Sequence, residues 1–404
     1  LLSCRQPNAS CMVFMISWLF GYIGSIFLTS EERHQRRYER RKAKREEKKR
    51  IRNEGHSFEE VSSFENLVKS FYQARKGVNW KASVQRYGCN VMKNAYRYSL
   101  KMKNGENISK GFIEFDICER GKKRHIKSVH ISERVIQKSV CDYGLVPVIE
   151  KSLIYDNGAS QRGKGTEFAS QRLIEHLRRY YRKHGNRGYI LLGDQHDFFA
   201  SIRHDVVERN LRKWLTDESL IDITMKFVRA CRKGLGLGSQ VCQICAISYQ
   251  NNIDHYIKEQ LRCKYYGRYM DDWYIIGNKE ELKRYLDIIR NMYSDIGIEM
   301  NEKKTQIVKI SHPFVWLQDR YFVTDSGKII RKASRKSITR NRRKLKRLSA
   351  MLEDGKIKYD VIRSFYASQM GFLKHKNAYV TIKNLNKLHN ELIIGRWHDV
   401  FNAQ

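Results

Sequence analysis

Two aspartates, Asp271 and Asp272, stand side by side between two apolar runs, Tyr265-Tyr266-Gly267-Arg268-Tyr269 and Trp273-Tyr274-Ile275-Ile276. Each run has the length and the aromatic and β-branched content of a strand, so the acidic pair falls at the tip of a hairpin. Adjacent carboxylates raise one another's proton affinity, and a bound divalent cation relieves that repulsion. A second segment repeats the theme. Tyr189-Ile190-Leu191-Leu192 is a short continuous apolar run of the kind that forms a buried strand, and it leads directly into Asp194. Mg²⁺ takes a few carboxylates together with water and phosphate oxygens, so Asp194 and Asp271 from two strands would form a site for it. For Asp271-Asp272 alone, an ordinary acidic turn is the competing reading.

Around these strands the chain reads as helix-rich. It has 404 residues, 41% hydrophobic, with only three prolines, which excludes a disordered chain and a Pro-rich extended one. Residues 31–52 alternate charges without apolar periodicity and read as a solvated helix or arm. A globular region starts near Phe58. Residues 64–72 have helical spacing, and residues 113–118 alternate like a strand before the turn Arg120-Gly121-Lys122. A helix over residues 132–140 would be capped by Ser132, and Pro147 would break the chain before a loop at residues 156–160. Residues 173–181 read as an amphipathic helix. Beyond Ser326 the chain is helical and strongly basic, most densely over residues 331–347.

Charge narrows the partner. Against 43 acidic residues stand 78 Lys and Arg, a net charge of +35. An excess of that size calls for a polyanion, since basic side chains displace condensed counterions from phosphates and interleaved aromatics stack on bases. The nine cysteines are odd in number and lack a framework spacing, which points to reduced thiols in a cytoplasm. Cys242 and Cys245 form a C-x-x-C, read as packing thiols ahead of a redox pair or half a zinc site. Residues 12–29 are almost uninterruptedly apolar and precede a basic block. They read as a membrane anchor, a buried helix, or residues encoded upstream of the natural start.

Tyr269-Met270-Asp271-Asp272 resembles the tyrosine-x-aspartate-aspartate box of reverse transcriptases. Asp194-Gln195-His196-Asp197-Phe198-Phe199 resembles the other catalytic strand of that family, and Gly297-Ile298-Glu299-Met300-Asn301-Glu302-Lys303-Lys304 follows in the expected order. The resemblance runs over residues 64–346. It implies an α+β right-hand polymerase: an N-terminal segment and arm (1–57), fingers (58–189), a palm with an RNA-recognition-like antiparallel sheet (190–323) and a basic helical thumb (324–404). It also implies two Mg²⁺ ions, with Mn²⁺ as a substitute, on Asp194, Asp271, Asp272 and the carbonyl of Gln195. Phe199 falls at the steric gate against a ribose 2′-hydroxyl; Lys123 and Arg124 resemble the basic pair that grips triphosphate. Lys304 resembles the lysine near the pyrophosphate leaving group. The implied partners are an RNA template, a DNA product, deoxynucleotides and an accessory protein.

The segment Gly234-Leu235-Gly236-Leu237-Gly238-Ser239-Gln240 narrows the resemblance. Where many relatives carry glutamine, Leu237 precedes Gly238, as in the error-prone enzymes of diversity-generating retroelements; retron-like and antiphage-defence enzymes are the alternative. Trp316-Leu317-Gln318 stands where the family's primer grip has Phe-Leu-Gly, which puts the tightness of that turn in doubt. A silent RNA-binding scaffold that keeps the fold without the chemistry is the reading from another class.

Overall fold

The computed structural model describes residues 29–119 and 122–394. A hairpin of β1 (Phe112–Glu119) and β2 (Lys122–Val129) precedes a four-stranded antiparallel sheet. That sheet contains β3 (Tyr189–Gly193), β4 (Tyr266–Tyr269), β5 (Asp272–Gly277) and β6 (Gln306–Lys309), in the order β4-β5-β3-β6. A three-stranded sheet follows, from β7 (Phe314–Trp316), β8 (Asp319–Val323) and β9 (Ile329–Ala333).

The apolar runs are continuous because the central sheet is covered on both faces. Leu191, Trp273 and Ile275 point into one core, shared with the helical part of the chain before and after β3. Their neighbours Ile190, Leu192, Tyr274 and Ile276 point into a second core. Each strand thus divides its side chains alternately between two cores. Trp273 lies beneath Gly193, where a β-carbon would come within 2.2 Å of the indole, so this strand-to-strand approach requires glycine.

The helices are α1 (Ser30–Asn53), α2 (Phe64–Ala74), α3 (Val91–Lys103), α4 (Ile131–Ser139), α5 (Thr166–His184), α6 (His204–Trp214) and α7 (Glu218–Arg229). After these come α8 (Gln240–Tyr249), α9 (Asn251–His255), α10 (Lys279–Asp295), and finally α11 (Arg335–Glu353), α12 (Tyr359–Lys374) and α13 (Tyr379–His389). Helix α5 is longer than its apolar spacing indicated, and Ala169, Leu173, Ile174, Leu177 and Tyr180 cover the second face of the sheet. The last three helices enclose their own core around Leu345, Ile362, Leu373 and Leu385. It joins β8 and β9 through a buried polar knot in which Asp319 accepts from Arg331 and Lys376.

Four local expectations need correcting, the first being helix directly beyond Ser326, where β9 pairs with β8 before α11 begins at Arg335. The cap of α4 is His130, whose ring nitrogen accepts from the Ser132 amide, so Ser132 lies inside the helix. Pro147 does not break the chain; a π-helical turn at Val140–Leu145 runs into Val146–Ile149, with the proline in its first turn, where a missing N–H costs little. The turn at Leu317-Gln318 stays tight without glycine: Trp316 pairs with Asp319, and both loop residues take positive φ, 45° and 70°.

Among the described residues, helix α1 is exposed along nearly its whole length and is anchored near its C-terminal end, by Lys49 donating to the Arg212 carbonyl and Asn53 to the Trp214 carbonyl. Residues 12–28 of the apolar stretch lie outside the described residues, and Thr29 begins α1 with a capping box to Glu32. Among the described residues no helix is long and apolar enough to cross a membrane. Cys242 and Cys245 are free and buried, and burial pushes both thiols up, as packing residues would be.

Candidate active site

The register of the sheet assembles the acids. Gly193 pairs with Trp273 across β3 and β5, so Asp194 and Asp272, each one step toward the same edge, come side by side. Asp271 completes the two-residue loop of the β4–β5 hairpin, in which Tyr269 pairs with Asp272 and Met270 takes φ of 56°. A non-glycine residue in that left-handed region stores backbone strain, which the surrounding contacts must hold.

Asp194 is nearly buried and accepts hydrogen bonds from Asn301 Nδ2 at 3.0 Å and from Lys304 Nζ at 2.8 and 2.7 Å. Backbone bonds from Asn301 to Asp194 and from His196 to Glu299 fix the chain past β3. Neither of them uses the carbonyl of Gln195, whose side chain instead forms a reciprocal amide pair with Gln250 at 2.7 and 2.9 Å. Asp272 is driven up to about 7, first by burial and then by the charges of Asp271 and Asp194, with Lys304 opposing. Partial burial works against the Lys304 ammonium, yet the Asp194 bond and the three carboxylate charges hold it above its ordinary value.

Asp194 and Asp271 open onto a cleft of about 780 Å³ whose walls come from distant parts of the chain. Phe199 is half-buried and lines it, and Phe198, edge-on to Phe199, is buried in the core and borders the cleft with little exposed surface. Leu237 forms part of the same wall. Gly234 holds the two segments together: Leu235 N–H donates to the Phe199 carbonyl at 2.7 Å, and a β-carbon on Gly234 would lie 2.5 Å from that oxygen. Gly238 abuts the Lys127 backbone, and Ser239 caps α8 while its hydroxyl donates to Gln137.

The β1–β2 hairpin supplies the basic wall. Strand alternation places Lys123, His125 and Lys127 along the cleft. The side chain of Arg124 lies outside the described residues. Lys123 pairs with Asp116, Lys127 with Glu114, and His125 lies between both acids at 2.9 Å from each, which raises its imidazole above the usual histidine range. His125 and Lys127 were not singled out in the sequence; counting by twos from Lys123 would have found them.

Among the described residues no three His, Cys, Asp or Glu side chains converge tightly enough to enclose a metal ion on their own. The donor set suits a hard cation that also uses water and phosphate oxygens, for which one or two carboxylates suffice. Burial contributes most to the raised proton affinity of Asp272, and the Asp271 and Asp194 charges that add to it are ones a bound cation would offset.

Residues 119–318, which span both acidic strands and the cleft, match the family model described as reverse transcriptase (RNA-dependent DNA polymerase). Residues 119–318 are a reverse-transcriptase domain. No curated protein sequence matches the chain. Among solved structures it is similar to a telomerase from Candida tropicalis truncated from its C-terminal domain, at TM-score 0.42 and 12% identity over 54% of each chain. It is also similar to the Candida albicans telomerase in complex with a fragment of telomeric RNA, at TM-score 0.45 and 10% identity, over 69% of this chain and 54% of that one. The chain thus spans about half the length of these telomerase chains. The matched part of the reverse-transcriptase domain begins at the end of β1 and stops in the Leu317-Gln318 turn.

Proposed function

We propose that this chain is an RNA-directed DNA polymerase that extends a primer with deoxynucleotides on an RNA template. The observation that carries the reading is that Asp194 and Asp271 line the floor of a cleft walled by Phe199, Leu237 and a basic hairpin, with Asp272 beside Asp194 in the sheet behind them. Mg²⁺ or Mn²⁺ held by Asp194, Asp271 and Asp272, with the Gln195 carbonyl as a further oxygen, would supply the Lewis acidity that phosphoryl transfer needs. Phe199 lies under the sugar and excludes a ribose 2′-hydroxyl. Lys123, His125 and Lys127 face the triphosphate, exchanging their bonds to Glu114 and Asp116 for phosphate oxygens. Lys304 stands over Asp194 and balances carboxylate charge while the site is empty, then meets the leaving pyrophosphate.

Leu237 supports the finer reading, an error-prone enzyme of the diversity-generating type acting on a cognate RNA with an accessory protein. An aliphatic side chain offers no hydrogen bond to a nascent base pair, so geometry there is policed by shape alone. The retron-like or defence role is the second reading, favoured by faithful copying.

The test is primer extension on an RNA template with Mg²⁺ or Mn²⁺. Wild-type protein should extend the primer, and Asp271→Asn should abolish extension while RNA affinity stays within about twofold, because phosphate contacts supply that affinity. Template binding without extension by the wild type would favour the silent scaffold.

A further inference from the structure

A buried side chain supports the strained turn that carries Asp271 from behind. Arg268 is fully buried on β4. Its guanidinium donates to Asp254 through Nε at 2.9 and 3.1 Å and through Nη2 at 2.6 Å. Nη2 also donates to the Ile247 carbonyl at 2.8 Å, and Nη1 to the Met270 carbonyl at 3.0 Å. Tyr266 donates to Asp254 from the same strand at 2.5 Å. The Met270 carbonyl belongs to the peptide that links the left-handed residue to Asp271.

A buried ion pair also needs hydrogen bonds for its remaining N–H groups, and the Ile247 and Met270 carbonyls supply them here. The arm that reaches Met270 has a second effect. It ties the peptide immediately before Asp271 to a rigid network and so sets where that carboxylate stands. The same guanidinium reads α8 through Ile247 and α9 through Asp254, and Ser239, the cap of α8, lies two residues after the cleft-lining Leu237. A displacement of the wall at Leu237 therefore has a direct mechanical route to the acidic turn.

We propose that Arg268, oriented by Asp254, is the positioning residue that fixes Asp271 for divalent-cation binding, acting through the carbonyl of Met270. The inference rests on the polymerase reading for its catalytic consequence but not for its geometry. A lysine at this position keeps the charge against Asp254 and cannot reach three acceptors in one plane.

The experiment is a Mn²⁺ titration of the protein–RNA–primer complex followed by electron paramagnetic resonance, with kinetics of deoxynucleotide addition alongside. Folded Arg268→Lys should bind Mn²⁺ about fivefold more weakly and lose about tenfold in kcat while KM for nucleotide changes little, since small misplacements of a reacting group cost this much or more. A purely structural role would lower the melting temperature and leave the Mn²⁺ affinity of the folded fraction alone. Mn²⁺ affinity and kcat within about twofold of wild type in folded Arg268→Lys would overturn the proposal. Should that variant not fold, Asp254→Asn serves in its place: it keeps the volume and releases the guanidinium, and an unchanged Mn²⁺ affinity would again overturn it. A wild type that does not extend primers, beside an Arg268→Lys with weakened Mn²⁺ binding, removes the polymerase reading and supports the positioning role.

Discussion

The ammonium of Lys304 stands 2.8 and 2.7 Å from the two carboxylate oxygens of Asp194, on the side of that residue that faces the cleft. It offsets one carboxylate and leaves Asp272 to share its burial with two other acids.

That imbalance makes the effect of Mg²⁺ on stability depend on pH. The folded state raises Asp272 from an unfolded value near 4 to about 7, so its proton adds stability below about pH 4, and the contribution is lost as pH rises through about 7. A divalent cation binds the deprotonated form and compensates most where the proton has left. Mg²⁺ should raise the melting temperature more at about pH 8 than at about pH 5.5. Equal shifts at both values, measured by calorimetry, would remove Asp272 from the cation site.

The two adjacent phenylalanines should separate cleanly. Phe199→Ala opens the cleft wall and should let ribonucleotides compete with deoxynucleotides at little cost in stability. Phe198→Ala empties a core position that borders the cleft and should cost about 3–5 kcal/mol, with a smaller effect on sugar choice than Phe199→Ala. Competition assays and denaturant melts on both variants check this. Unchanged sugar discrimination in a folded Phe199→Ala would place the gate elsewhere.

Gly234 is the position where the least change should do the most. Its φ of 66° disfavours any side chain, and the first obstacles to a β-carbon are backbone atoms of Phe199 and Ala200, at 2.5 and 2.6 Å. Gly234→Ala should cost more than the ~1 kcal/mol of an unstrained glycine site and shift the Phe199 wall at once. A melting curve with nucleotide KM measured in parallel would show both effects, and a wild-type KM would uncouple the two segments.

Leu237→Gln restores a polar group beside the nascent pair. One hydrogen bond of roughly 1 kcal/mol changes an error rate by several-fold, so misincorporation should fall modestly. Deep sequencing of products made by both proteins on one adenine-rich RNA is the measurement. Equal error spectra would favour the retron-like or defence role.

The parts of the site that were legible in the sequence are those whose chemistry sits beside a periodic run. Asp194 follows β3 directly, and Asp271 and Asp272 interrupt two strand patterns, so motif and element were read together. The reciprocal amides of Gln195 and Gln250 and the Arg268–Asp254 pair join residues from different elements, and no local pattern signals such partners. Gln318 misled because glycine is the usual occupant of a two-residue turn, whereas here pairing of β7 with β8 holds a non-glycine residue at positive φ. Pro147 misled for the related reason that a π-helical turn before it absorbs what would otherwise be a break.

The 24-residue helix α1 has a consequence of leverage. At 1.5 Å per residue it is a boom about 36 Å long, pinned to the rest of the described residues near Trp214. Thr29, at its other end, is where residues 1–28 join the boom. A modest pull on that end would be multiplied at the pivot, where Asn53 also accepts from the Thr216 amide, just ahead of the Asp217 cap of α7.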